Sequence, residues 1–175
     1  MIELTYRQLC IMQLLGGAKP QELAMIDAAM LADIEEIKQL KARYFYHLDH
    51  KEWDGWREHV FCRDASMHVP EAQLDLFGLD DILACLRTLL ADVVTVHHGH
   101  MPLIQILSPT TASGIWAMED LLIWPKGHRP DGVEGRVHGY GHYHETYARE
   151  AAGWRIKTLR LTRLLGPVPL LAPAS

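Results

Sequence analysis

In Val96-His97-His98-Gly99-His100-Met101-Pro102, three imidazoles fall within four positions of a run rich in Val and Thr. Such a run reads as a β-strand, on which neighbouring side chains alternate faces. His97 therefore points one way and His98 and His100 the other. Histidine changes charge near neutral pH and is also a common metal ligand, so two chemistries compete. In one, His97 is a general base inside an apolar pocket. In the other, the pair His98-x-His100, joined by His142-x-His144 on a later strand, grips an ion. No signature places a glutamate to complete that metal set, and we carry the base reading with no metal.

A base needs an acid to orient it. In residues 114–124, period-two counting sets Asp120 on one face with Trp116, Met118, Leu122 and Trp124, while Glu119 faces the other way. A carboxylate in an apolar stripe is costly unless paired. Trp116 and Met118, sharing Asp120's face, are the candidate pocket walls. In the last strand Leu159, Leu161 and Arg163 share a face, so Arg163 is an available cation, and a lone arginine there also fits a structural ion pair.

The elements that carry these residues follow from pattern. Pro20 suits a first helical turn, and residues 21–32 are strong helix formers. Asp33-Ile34-Glu35-Glu36 reads as a capping box that opens a second helix or continues the first with a bend. Residues 34–48 then place Ile34, Ile37, Leu40, Tyr44, Phe45 and Leu48 on one stripe, with Tyr44 on the buried side and Asp49 near the end. A short helix is expected over 53–60, a turn at Arg63-Asp64-Ala65, a strand over 66–69 and a helix over 79–90. Strands are expected over 93–101, 103–107, 112–124, 134–149 and 154–164, with turns at Pro102, Ser108-Pro109, 125–132 and Ala152-Gly153. Helices first and a strand meander afterwards indicate an α+β fold. Residues 1–19 read as an N-terminal arm, 20–165 as one domain and 166–175 as a tail.

The totals narrow the function classes. A chain of 175 residues, 49% hydrophobic and 22% charged, builds one globular domain. A net charge of −5 and a pI near 6.1 leave no basic surface for nucleic acid. The longest apolar run is too short to span a membrane, and no cleavable leader is legible. Cys10, Cys62 and Cys85 are odd in number and form no C-x-x-C, which suits free thiols in the cytoplasm. The strand at 114–124 is apolar on both faces, so a homodimer or homotrimer is expected.

Five segments in order carry a resemblance: Ile34 to Asp49 (IEEIKQLKARYFYHLD), Glu52-Trp53-Asp54, His97 to Pro102 (HHGHMP), Trp116 to Asp120 (WAMED) and Trp154-Arg155-Ile156. Together, over about residues 30–165, they resemble the SnoaL-like branch of the nuclear transport factor 2-like superfamily. Their order and spacing look most like the bile acid 7α-dehydratases, with scytalone dehydratase and ketosteroid isomerase more distant. The resemblance implies a cone-shaped curved antiparallel sheet packed against N-terminal helices around an apolar pocket. It also implies site positions at Tyr44, Asp49, His97, Asp120 and Arg163.

On that basis Asp120 is expected to orient His97, whose other nitrogen takes a proton from carbon beside a carbonyl, while Tyr44 donates to the enolate oxygen. Asp49 would orient Tyr44 or a departing hydroxyl, and Arg163 would hold an acid or a polar substrate end. The implied activity is a cofactor-independent dehydratase or isomerase acting on a small apolar, carbonyl-bearing ring compound, steroid- or polyketide-like. The alternative is a non-catalytic ligand-binding or assembly subunit, such as a ring-hydroxylating dioxygenase β-subunit.

Overall fold

A computed structural model describes residues 27–125 and 136–165. The first helix, α1 (Ala28–His50), is capped by Asp27, whose side chain accepts from the Met30 amide at 2.8 Å. It buries Ile37, Leu40, Lys41, Tyr44 and Leu48, one stripe at helical spacing. The helix runs through Asp33 without a break. The capping reading of Asp33 is corrected because its carboxylate is taken by Arg149 and by the indole of Trp154 at 3.3 Å. The arm, Pro20, residues 21–26, the tail and the 125–132 turn beyond Pro125 lie outside the described residues.

Helix α1 ends at Lys51, which adopts the left-handed conformation at φ 60° and returns its amide to the last turn. Helix α2 (Trp53–His59) follows, then β1 (Phe61–Val69), a 3-10 turn (Pro70–Ala72), β2 (Leu74–Phe77) and α3 (Leu79–Leu90). The expected turn at Arg63-Asp64-Ala65 is instead part of β1, which shifts register between Phe61 and Ser66. Strand β2 was not anticipated, being only four residues long. Helix α3 buries Leu79, Ile82, Leu83 and Leu90 and places Asp80 and Asp81 in its first turn, where the helix dipole favours them.

Four long strands complete the chain: β3 (Val94–Ser108), β4 (Thr111–Ile123), β5 (Arg136–Glu150) and β6 (Gly153–Leu165). The expected break at Pro102 is an irregularity inside β3: pairing with β4 jumps between His100 and Leu103, and Met101 takes φ 27°. The sheet order is β2-β1-β6-β5-β4-β3. All neighbours are antiparallel except β1 and β6, which run parallel, so the sheet is mixed rather than purely antiparallel.

One sheet face meets the helices. On β4 it presents Ala112, Trp116, Met118, Asp120 and Leu122, and on β5 Val137, Tyr143, Glu145 and Tyr147. The other face leaves Val96, Leu103, Ile115, Ile123 and Tyr140 exposed. Within the core Lys41 reaches Glu145 at 2.5 Å, Tyr147 donates to Glu145 at 2.5 Å, and Trp116 donates to Tyr147 at 2.8 Å. This network satisfies charges that burial would otherwise penalise.

Candidate active site

Asp49 lies in the last turn of α1, where the helix dipole disfavours an acid. Its partners explain the position. His97 Nδ1 is 2.6 Å from Asp49 Oδ1, and the His97 backbone amide donates to Oδ2 at 2.9 Å. Thr95, on the same strand face, donates to Oδ1 at 2.9 Å and accepts from Lys51 Nζ at 2.7 Å. Burial works to raise the Asp49 carboxyl, but the bonds from His97 and Thr95 prevail and hold it below the usual carboxylate range.

With Nδ1 committed to a carboxylate, Nδ1 carries the proton in neutral His97 and Nε2 is the basic nitrogen. The imidazole stacks at 9° on Phe45 with centroids 6.5 Å apart. Its side chain is only 8% exposed and lines an apolar cavity of about 140 Å³. Leu48, Met67, Leu86, Leu122, Trp124 and Leu161 supply much of the wall.

Tyr44, His97, Asp120 and Arg163 all line this cavity, and Asp49 stands behind His97. The expected pairing of Asp120 with His97 is corrected. Arg163 donates to both Asp120 oxygens, to Oδ1 at 2.8 Å through Nη1 and to Oδ2 through Nη2. In register Asp120 lies opposite His97, but its side chain points toward β5, where Gly139 is its partner. A Cβ at Gly139 would sit 2.0 Å from Arg163 Nη1 and 2.7 Å from Asp120 Oδ1, so the missing side chain is the space the ion pair fills.

Trp116 and Met118, the expected walls, are buried in the core further along β4 and do not border this cavity; Leu122 and Trp124 do. The Trp116 indole is engaged by Tyr147 instead.

Tyr44 is 4% exposed, and burial, with the nearby carboxylates of Glu145, Asp49 and Asp120, pushes its phenol well above the ordinary value. Its hydroxyl has no hydrogen-bond partner among the described residues. Tyr143, on β5, is a second cavity phenol held protonated, burial again being the first cause. Both are donors at neutral pH.

Sequence reasoning missed Tyr143, Thr95, Lys51 and Glu71. Glu71 sits on the 3-10 turn at the cavity wall, accepts from the Arg163 amide at 2.9 Å through Oε1, and leaves Oε2 buried with no hydrogen-bond partner among the described residues. Period-two counting on residues 136–150 could have found Tyr143, but no local pattern marks Glu71.

A mixed sheet backed by helices, with an acid-oriented imidazole and protonated phenols on an apolar cavity, defines a pocket protein of the nuclear transport factor 2-like fold. The chain belongs to the SnoaL-like domain family, which residues 29–160 match. Among solved structures it is similar to the Kfla4162 protein of Kribbella flavida, at 24% identity and TM-score 0.72 over 82% of this chain and 99% of that one. A provisionally named scytalone dehydratase from Novosphingobium aromaticivorans matches at 19% identity and TM-score 0.69, covering 83% and 97%. Hexachlorocyclohexane dehydrochlorinase LinA-type3 from Novosphingobium barchaimii matches at 16% identity and TM-score 0.66, covering 78% and 90%.

Proposed function

We propose that this protein is a cofactor-independent lyase that removes water from an apolar, carbonyl-bearing ring compound, with His97 as base and Asp49 as its orienting acid. The observation that carries the reading is the double hold of Asp49 on His97 at the wall of an apolar cavity. Nε2 takes the proton from carbon beside the carbonyl, and the released electron pair moves onto the carbonyl oxygen. Tyr44 donates to that developing enolate, which costs no reorganisation because the phenol is already protonated and in place. The electrons then return to form the C=C bond as the β-hydroxyl leaves. The imidazolium gives its proton to the departing oxygen, so water is released and His97 is restored.

Return of the proton to another ring carbon would give an isomerase with the same residues. Asp120 and Arg163 neutralise each other beside the reacting ring and present a polar wall, while Glu71 Oε2 is placed to accept from a substrate hydroxyl. A cavity of about 140 Å³ compares with the ~150 Å³ that encloses one benzene. It suits one reacting ring of a steroid- or polyketide-like compound. The names of two structural neighbours, a dehydratase and a dehydrochlorinase, accord with elimination chemistry.

The test is a panel of cyclic β-hydroxyketones, followed by the ultraviolet absorbance of the enone product. Turnover by wild type that falls at least about 10²-fold in His97→Ala supports the base. Unchanged turnover in that variant removes the mechanism. Co-purification with a larger catalytic chain and no turnover on the panel would favour an assembly subunit instead.

A further inference from the structure

The face of the sheet opposite the cavity carries a second constellation that the elimination does not use. His98 and His100 project from β3, and Glu119 from β4 directly across from His98. Glu119 Oε2 lies 3.5 Å from His100 Nε2 and 3.9 Å from His98 Nδ1, and the three donor atoms fall within 4.8 Å of one another. The other oxygen, Oε1, is held by His138 Nε2 at 2.7 Å and by the Tyr140 hydroxyl at 3.3 Å.

We propose that His98, His100 and Glu119 bind a first-row divalent transition ion of the zinc class, with His138 and Tyr140 orienting the carboxylate from behind. Two imidazoles and one carboxylate oxygen are a donor set that zinc takes, whereas calcium and magnesium prefer all-oxygen sites. Bonds of about 2.0–2.1 Å to one ion require donors about 3.3 Å apart. The His100–Glu119 spacing is already close to that, and His98, 57% exposed on its side chain, is free to rotate inward.

The division of Glu119 between two sets of partners supports the site. One oxygen is fixed by hydrogen bonds while the other faces two imidazoles, the arrangement in which a second ring of contacts orients a ligating carboxylate. The partner histidines suggested by the H-x-H spacing, His142 and His144, are not part of this group among the described residues. His142 lies opposite Ala117, which lies opposite His100, so β4 stands between them, two strand spacings or about 10 Å, whereas Glu119 is on the neighbouring strand. Their place is taken by Glu119.

The ion would clamp β3, the edge strand, to β4 beside the irregularity at Met101. It would not join the cavity chemistry, because His97 and His98 point to opposite faces. Its measurable effects are therefore affinity and stability.

The experiment uses the full chain without a polyhistidine tag, stripped with chelator, and titrates ZnCl2 by calorimetry and CoCl2 by visible absorption. The expected result is one ion per chain at a Kd of about 1 µM or tighter, with a rise in Tm on saturation. Glu119→Gln and His100→Ala should each weaken binding at least about 10-fold, and His138→Gln about 10-fold. The double variant His142→Ala/His144→Ala should bind as wild type does. Folding of each variant is checked by circular dichroism, and none of the five positions is buried, so the fold should persist. No binding at about 100 µM zinc, affinity unaltered in both Glu119→Gln and His100→Ala, or loss confined to the His142/His144 variant would each overturn the site.

Discussion

Asp49 grips His97 at two points, its Oδ1 2.6 Å from the ring Nδ1 and its Oδ2 accepting from the backbone amide at 2.9 Å. The first contact fixes the tautomer and the second fixes the strand that carries the ring. A carboxylate at the C-terminal end of a helix opposes the helix dipole, so a position that helix electrostatics disfavour is occupied by a residue whose partners lie elsewhere. The consequences are measurable at this residue first.

Asp49→Asn keeps the shape but offers His97 an amide in place of a charge. The tautomer is no longer fixed and the developing imidazolium is no longer stabilised. We expect kcat on any confirmed substrate to fall about 10²–10⁴-fold with the fold retained by circular dichroism. A loss below about threefold would show that Asp49 does not act through His97.

The same carboxyl gives a pH signature. Its folded-state pKa lies below the unfolded value, so its contribution to stability is complete above the ordinary carboxylate range, near ~3.9, and is lost as pH falls through the folded value. Denaturant titrations should therefore show wild type more stable than Asp49→Asn at pH 7, with the gap narrowing below about pH 4. A gap that widens on acidification has the wrong sign for this assignment.

Tyr44→Phe removes one hydroxyl from the cavity and no hydrogen bond within the described residues. Stability should hold to within about 1 kcal/mol, while kcat falls about 10²–10³-fold if the phenol stabilises the enolate. Loss of stability without loss of rate would assign Tyr44 to the core alone.

Asp120 and Arg163 separate structure from chemistry. Asp120→Ala strands a guanidinium in the cavity wall and should cost about 3–5 kcal/mol in urea unfolding. The paired change Asp120→Leu with Arg163→Met should recover most of that while leaving the wall apolar. Gly139→Ala, whose Cβ would occupy the space of Arg163 Nη1, should fall between wild type and the single variant.

The elements of this fold were legible where one pattern governs a long stretch. The stripe Ile37, Leu40, Tyr44 and Leu48 and the alternation on β4 gave the helix, the strand and the inward faces of Tyr44 and Asp120. Boundaries set by distant partners were not. Asp33 imitates a helix cap but is held by Arg149 and Trp154 from the last two strands. Pro102 imitates a turn but sits in a bulge that β4 accommodates.

At the site, the family resemblance named Tyr44, His97, Asp120 and Arg163, which line one cavity, yet the acid expected to orient His97 was Asp120, where the structure has Asp49. Asp120 lies opposite His97 in register, and only the lateral lean of its side chain toward Gly139 decides for Arg163. Glu71 escaped notice because a 3-10 turn has no periodicity to read.

Proton abstraction can be measured before the substrate is known. Cyclic ketones that fit one ring into the cavity, incubated with the protein in D2O, report exchange of the proton beside the carbonyl by NMR. Wild type should accelerate exchange well above buffer for at least one ketone, with the acceleration lost in His97→Ala and sharply reduced in Asp49→Asn. Exchange that persists at the wild-type rate in His97→Ala, or a bound ketone that does not exchange at all, would remove His97 as the base.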